Sequence, residues 1–324
     1  RDNIDGHEGS TADNSLERAR SVAQQLQIHF HEIDATTEFR KMVVDYFINS
    51  HQMGITPNPC FMCNRSIKWG LLLNAVTHCG GERLASGHYA RIDRGVDGIY
   101  RLYKAKDILK DQSYVLAGLN QFQLSHAMFP LGNLTKKEAR EIAHRYNFPI
   151  KQHEESQDLC FLEGHSQEVF LKKHSPVLFI PGEIRTIDGR VIGEHSGLAN
   201  YTIGQRKGIK LSHSDPYFVI KKDLASNSIT VGTRENLGKN RITITEVNWI
   251  SGKAPVLPAA FTVKIRYKSG FFEAIISKPH DCGYDIIFKD IIRDPTPGQY
   301  AVFYDGDRVV GSGVITETQG GEET

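Results

Sequence analysis

Apolar residues recur at helical spacing in the first half of this chain and at strand spacing in the second. Leu16, Ala19, Val22, Ala23 and Leu26 mark one helix, with Asn14 and Ser15 as its candidate caps. Ile28 to Ile33 reads as a short strand, and Phe39, Val43, Tyr46 and Phe47 share one side of a second helix. Arg83 to Ser86 predicts another short strand, ending in a Gly87-His88 turn. Thr135 and Glu138 form a capping box for a helix through Ala139, Ile142, Ala143 and Tyr146 that stops before Pro149. Helices alternating with short strands predict an α/β domain over residues 1–165, built on an open, mostly parallel sheet. Ligands of such sheets sit beyond the carboxyl ends of the strands.

After about residue 165 the pattern changes. Gly- and Pro-punctuated segments such as Gly182-Glu183-Ile184 and Asp188-Gly189-Arg190-Val191-Ile192 predict a small central β domain over 166–216. From 217 to 324 the strand signal strengthens, through Tyr217 to Lys221, Ser228 to Val231, Ile242 to Val247, Phe261 to Tyr267 and Tyr300 to Tyr304. Asp305-Gly306 before Arg308-Val309-Val310 marks a hairpin. Short, evenly spaced strands predict a C-terminal β-barrel, with a frayed polar tail after Thr316.

Composition narrows the class. The chain has 324 residues, too many for one ordinary domain, and 40% hydrophobic with 24% charged residues excludes a disordered chain. The formal net charge of +1 argues against a uniformly basic partner surface but leaves room for a local cationic stripe against phosphates. No apolar run approaches the ~18 residues that span a bilayer, and no signal-peptide pattern opens the chain. Five cysteines without such a signal fit a reducing, cytoplasmic compartment.

Candidate chemistry concentrates at Asn58-Pro59-Cys60-Phe61-Met62-Cys63-Asn64. The two prolines, Pro57 and Pro59, predict a rigid extended loop before a helix that buries Ile67, Leu71, Leu72 and Leu73. A thiol at a helix start beside Arg65 and Lys68 is expected to have a lowered pKa. Two other readings compete: half a zinc site completed by His78 and Cys79, or two buried apolar cysteines. Cys160, in Ser156-Gln157-Asp158-Leu159-Cys160-Phe161, gains meaning if it faces this loop, because two such thiols suit sulfur transfer. Cys79 and Cys282 read as structural. Ser86 to Arg91 has the strand-Gly-polar form of a close backbone–ligand approach, with an ordinary turn as the alternative. Lys110-Asp111-Gln112-Ser113-Tyr114 opens a helix, where Asp111 reads as a metal or base ligand or as a helix-terminal charge. Tyr201 to Gly208, with Arg206 and Lys207, suits phosphate contact or a solvated loop. Arg266-Tyr267-Lys268 combines cations with an aromatic that stacks on or clamps RNA.

In order along the chain, the Asn58–Asn64, Ser86–Arg91, Lys110–Tyr114, Ser156–Phe161 and Gly197–Gly208 segments closely resemble the tRNA-specific 2-thiouridine synthases (2-thiouridylases). The resemblance runs from about residue 14 to 316. It implies a PP-loop ATPase (Rossmann-like) domain, a small central β domain and a C-terminal β-barrel. It implies an enzyme that adenylates the C2 oxygen of the wobble uridine with ATP, Mg2+ assisting, and replaces it with persulfide sulfur. Its implied partners are tRNA and a persulfide donor, a cysteine desulfurase or relay protein. By resemblance Cys160 carries the persulfide and Cys63 is the partner nucleophile, the two passing through a disulfide. Asn58, Pro59 and Cys60 line the base pocket, and Gly87 is a nucleotide-binding position. His88, Lys110, Asp111, Gln112, Arg266, Tyr267 and Gln299 match tRNA contacts.

One family element is missing: the N-terminal Ser-Gly-Gly-x-Asp-Ser loop that cradles pyrophosphate. Gly6-His7-Glu8-Gly9-Ser10 is Gly-rich but has another order. The expectation is an N-terminally truncated chain with an exposed sheet edge; the alternative is a non-catalytic tRNA-binding protein.

Overall fold

The computed structural model describes residues 11–148, 159–162, 164–209, 211, 216–281 and 283–319. Gly6 to Ser10, Ser156 to Asp158 and Cys282 lie outside them. The chain divides into two compact units, one of residues 1–45 with 59–166 and the other of 46–58 with 167–324.

In the first unit the opening helix spans Thr11–Leu26, so Asn14 and Ser15 fall inside its first turns and do not cap it. Ile28 to Ile33 is not a strand. The segment is irregular, with Ile28 59% and Ile33 40% exposed. An extended stretch becomes a strand only where a neighbour completes its ladder, and the parallel ladder described in this unit pairs Leu84–Ala85 with Ala127–Met128. An antiparallel hairpin pairs Arg91–Arg94 with Tyr100–Tyr103. The predicted capping box is present: Thr135 Oγ1 accepts from Glu138 N at 3.2 Å and Glu138 Oε2 accepts from Thr135 N at 2.6 Å. The helix it opens, Lys136–Arg145, ends at Tyr146.

The second correction concerns the prolines. Pro59 does not hold an extended loop but begins a helix, which continues through Pro59–Met62, Cys63–Leu72 and Leu73–His78. A first helical position needs no backbone N–H, and the ring presets φ for the helix. The middle segment is π-wound and buries Ile67 and Trp69; Leu73 follows at its end.

In the second unit a four-stranded sheet runs in the order Val191–His195, Gly182–Thr186, Ser228–Gly232, Phe218–Asp223. Its central pair is parallel and its outer pairs are antiparallel. The strands at 218–223 and 228–232, assigned to the barrel on sequence, therefore belong to the central sheet. Ile184, Val219, Ile229 and Val231 seal its core with Leu198, Tyr201 and Ile209.

The barrel comprises Gly238–Trp249, Ala259–Lys264, Phe272–Ile276, Tyr284–Arg293, Tyr300–Asp305 and Arg308–Gln319. Every strand pairs antiparallel with two others in this set, which closes the ring. Two strands, at 272–276 and 284–293, escaped the sequence reading. Their inward Phe272, Ala274, Ile276, Ile286 and Phe288 alternate properly, but the exposed Ile275 and Ile287 blur the period. The hairpin is as expected, with Asp305 opposite Arg308 and Gly306 at φ +60°. The tail does not fray at Thr316: Glu317 to Gln319 still pair with Thr243 to Arg241.

Candidate functional site

Two thiols of the first unit, Cys60 and Cys63, stand at the start of the Pro59–His78 helix. Cys60 is exposed and Cys63 half-buried; neither is in a disulfide, nor are Cys79 and Cys160. A π-wound segment offsets carbonyls from their usual donors, and two buried side-chain amides compensate. Asn64 Nδ2 donates to the Cys60 carbonyl at 3.0 Å. Gln123 Nε2 donates to the carbonyls of Arg65 at 3.1 Å and Trp69 at 2.9 Å. The Gln123 oxygen is also used, accepting from Asn120 N at 3.0 Å in a capping box with Asn120. Sequence reasoning overlooked Gln123, although the Asn-x-x-Gln spacing signals that box.

Cys160 opens a single 3-10 turn, Cys160–Leu162. Phe161 and Leu162 anchor the turn in the core, where the Phe161 ring meets Phe39 edge-on at 6.3 Å. Cys160 itself remains exposed. It lies near enough to Cys60 for its charge to act there: burial pushes the Cys60 thiol up, Cys160 pushes it further, and Lys68 opposes both. The lowered pKa expected at this helix start is thus not found at Cys60, because lost hydration outweighs the neighbouring cation. His78 and Cys79 sit at the other end of the helix, roughly 22–28 Å away at ordinary helical rise, too far to share a zinc ion with the first two thiols. Cys79 is exposed there and fills no core position.

The loop Ser86-Gly87-His88 directly follows the parallel strand Leu84–Ala85, at its carboxyl end as expected. A Cβ placed on Gly87 would meet only Leu131 Cδ1, at 3.9 Å, so the space in front of this backbone is open. His88 is buried, hydrogen-bonded through Nδ1 to Ser86 Oγ at 2.7 Å. Burial, helped by the Lys68 cation, lowers its pKa to about 3, which keeps the imidazole neutral. Gln112 ties the loop from the other side, its Oε1 accepting from Tyr89 N at 3.0 Å and its N–H donating to Tyr89 O at 2.8 Å. Asp111 accepts from Ala105 N at 2.9 Å, Ser113 N at 3.2 Å and Ser113 Oγ at 2.8 Å. Its carboxylate organises the start of the following helix. Lys110, next to it, is half-buried.

The second unit holds the remaining candidates. Arg266 forms an ion pair with Asp294 Oδ2 at 2.9 Å and donates to Ile203 O at 3.3 Å, to Asp294 O and to Thr296 Oγ1. That guanidinium braces the Gly204 turn against residues 294–296. Tyr267 beside it is exposed, with Lys264 Nζ 5.6 Å over its ring. Gln205 stiffens the Tyr201–Gly208 loop through Thr202 N, Asn200 O and Lys207 O, and leaves Arg206 and Lys207 facing solvent. Gln299 Nε2 donates to Thr56 O at 2.9 Å and Pro57 O at 3.1 Å, just before the buried Asn58. No helix among the described residues is long and apolar enough to cross a membrane.

These features agree with sequence comparison. Residues 1–164 match the family described as tRNA methyl transferase HUP domain, 168–233 the tRNA methyl transferase PRC-barrel domain, and 239–315 the aminomethyltransferase β-barrel domain. A tRNA-specific 2-thiouridylase MnmA of Halothermothrix orenii is 40% identical over 94% of this chain and 85% of its own length. The enzyme of that name from Magnetococcus marinus is 39% identical over 96% of this chain and 87% of its own. That of Geotalea uraniireducens is 39% identical over 92% and 79%. On these grounds the chain belongs to the tRNA-specific 2-thiouridylase family.

Proposed function

We propose that this protein is an ATP-dependent tRNA-uridine 2-sulfurtransferase acting on the wobble uridine. The observation that carries the reading is the approach of the Cys160 turn to the helix start bearing Cys60 and Cys63. Oxygen at C2 of uridine is a poor leaving group, and ATP supplies the adenylate that makes it a good one. Cys160 holds the incoming sulfur as a persulfide. Cys63 attacks the inner sulfur of that persulfide, a Cys63–Cys160 disulfide forms, and the outer sulfur leaves as sulfide to C2. The exposed position of Cys160 suits loading by a persulfide donor. Asn58, Pro59 and Cys60 line the pocket for the base, with Gly87 at the nucleotide. His88, Lys110, Asp111, Gln112, Arg266, Tyr267 and Gln299 contact the tRNA or hold the loops that do. Neutral His88 serves there as a hydrogen-bonding group rather than a cation.

The test is incubation of tRNA with ATP, a sulfur donor and the protein, followed by nucleoside analysis. 2-Thiouridine and one AMP per product are expected. Cys63→Ser and Cys160→Ser abolish the product while tRNA binding persists. Full thiolation by either variant removes the thiol assignment. Salt-dependent tRNA binding without AMP release replaces the enzyme with a binding protein.

A further inference from the structure

Sulfur transfer as described ends with Cys160 locked in a disulfide, and a further turnover requires its release. The sequence places a third thiol, Cys60, three residues before Cys63 in the first turn of one helix. A Cys-x-x-Cys pair at a helix start is a spacing suited to a redox-active dithiol. Residues three apart on a helix have Cβ atoms about 5–6 Å apart. A disulfide requires about 3.5–4.5 Å. A helix start closes that gap by local adjustment, because its first N–H groups have no intrahelical partners to lose. The Cys60 residue is exposed although its thiol is largely desolvated, and the exposed Cys160 is near enough to act on it electrostatically.

We propose that Cys60 is the resolving thiol of this site: it attacks Cys63 within the Cys63–Cys160 disulfide, forms a Cys60–Cys63 disulfide and releases Cys160 for reloading. The inference rests on the sulfur-transfer reading above. The exchange balances without an oxidant or reductant. The Cys60 thiol gives its proton to solvent, a Cys60–Cys63 bond forms as the Cys63–Cys160 bond breaks, and the electron pair of the broken bond leaves on Cys160 as thiolate. An external dithiol then supplies two electrons and two protons to the Cys60–Cys63 bond.

Electrostatics favour this order of steps. Burial raises the Cys60 pKa, and the neighbouring Cys160 raises it further. Once Cys160 is bonded to Cys63 its charge is gone, and Cys60 ionises more readily under the pull of Lys68. Sulfur transfer thus removes the smaller of the two influences that raise the Cys60 pKa, while burial persists.

The experiment needs neither tRNA nor ATP. The full chain is oxidised with a limiting amount of diamide, remaining thiols are alkylated at successive times, and bonded peptides are identified by mass spectrometry. In the wild type the Cys63–Cys160 bond is expected first and then converts, without more oxidant, to Cys60–Cys63 with Cys160 alkylated. In Cys60→Ser the process stops at Cys63–Cys160, leaving at least about tenfold more of that bond at the end. A wild-type end point with Cys63–Cys160 intact and Cys60 alkylated, or with Cys60 bonded to Cys160, overturns the resolving role alone. If neither protein ever bonds Cys160 to Cys63, the sulfur-transfer reading fails and the resolving role with it.

Discussion

The C-terminal barrel and the cysteine-bearing helix of the first unit solve the same problem, satisfying the backbone, in opposite ways. The barrel does it by closure: each of its six strands has two neighbours, and the inward side chains need only be apolar. The Pro59–His78 helix departs from regular winding, and its shifted carbonyls depend on Asn64 and Gln123. A scaffold therefore tolerates many substitutions that keep the pattern, whereas the thiol site depends on single amide groups. Damage to the two regions should look different.

The largest expected effect lies in the barrel. Phe303 is fully buried, its ring 5.6 Å from Trp249. Phe303→Ala is expected to cost about 3–5 kcal/mol, measured as a lower denaturation midpoint at unchanged slope. A loss below about 1 kcal/mol would mean that the barrel core is not the rigid body its burial implies.

At the helix the sharper probe is Gln123→Glu. The substitution keeps the oxygen that caps Asn120 and removes the amide that serves Arg65 O and Trp69 O. Two carbonyls lose their donor and a carboxylate is driven into the core, at a cost of about 2–3 kcal/mol. Thiol reactivity at Cys63 toward an alkylating reagent should change in the same variant, and barrel substitutions should leave it unchanged. Equal alkylation rates in both would dissolve the distinction between scaffold and site.

How much of this was visible in the sequence follows the same division. Alternation in the barrel strands at 238–249, 259–264 and 300–305, the Thr135–Glu138 box and the Asp305-Gly306 hairpin depend on neighbours a few residues away, and these were readable. So was the family, from the order of its motifs. The helical setting of Cys60 was not, because Pro57 and Pro59 together resemble an extended loop until Pro59 is seen to occupy the one helical position that favours it. The membership of Phe218–Asp223 and Ser228–Gly232 was hidden for another reason. Strand propensity is local, but which sheet a strand joins is decided by distant partners, here Gly182–Thr186. Ile28 to Ile33 is a similar case: its pattern is strand-like, and no ladder among the described residues completes it.

Acid offers a milder test of both units. Burial lowers His88 to about 3 in the first unit and His51 to about 4 in the second, from an ordinary value of 6.5. Below pH 6.5 the unfolded chain binds protons that these folded imidazoles refuse, so stability is complete above 6.5 and falls as pH drops toward the folded values. At pH 5 the loss is about 2 kcal/mol for each histidine. His88→Gln and His51→Gln should each flatten the stability profile between pH 6.5 and 5 relative to wild type. An unchanged slope in either variant would show that its imidazole is protonated in the folded state.

The smallest effect compares two glutamines doing similar work. Gln299, like Gln123, donates one amide to two carbonyls, but it sits in a half-buried setting at Thr56 and Pro57. Water can replace a donor there, so Gln299→Ala should cost only about 1 kcal/mol, less than Gln123→Glu. Gln299→Glu, which also lacks the donor, should behave like the alanine variant in thermal melts. Resemblance assigns this residue to tRNA contact, whereas its hydrogen bonds assign it to bracing the 56–57 backbone. A variant that melts like wild type yet binds tRNA more weakly would favour direct contact. Equal loss of stability in both variants, with tRNA affinity falling only in proportion to the unfolded fraction, would make Gln299 a brace.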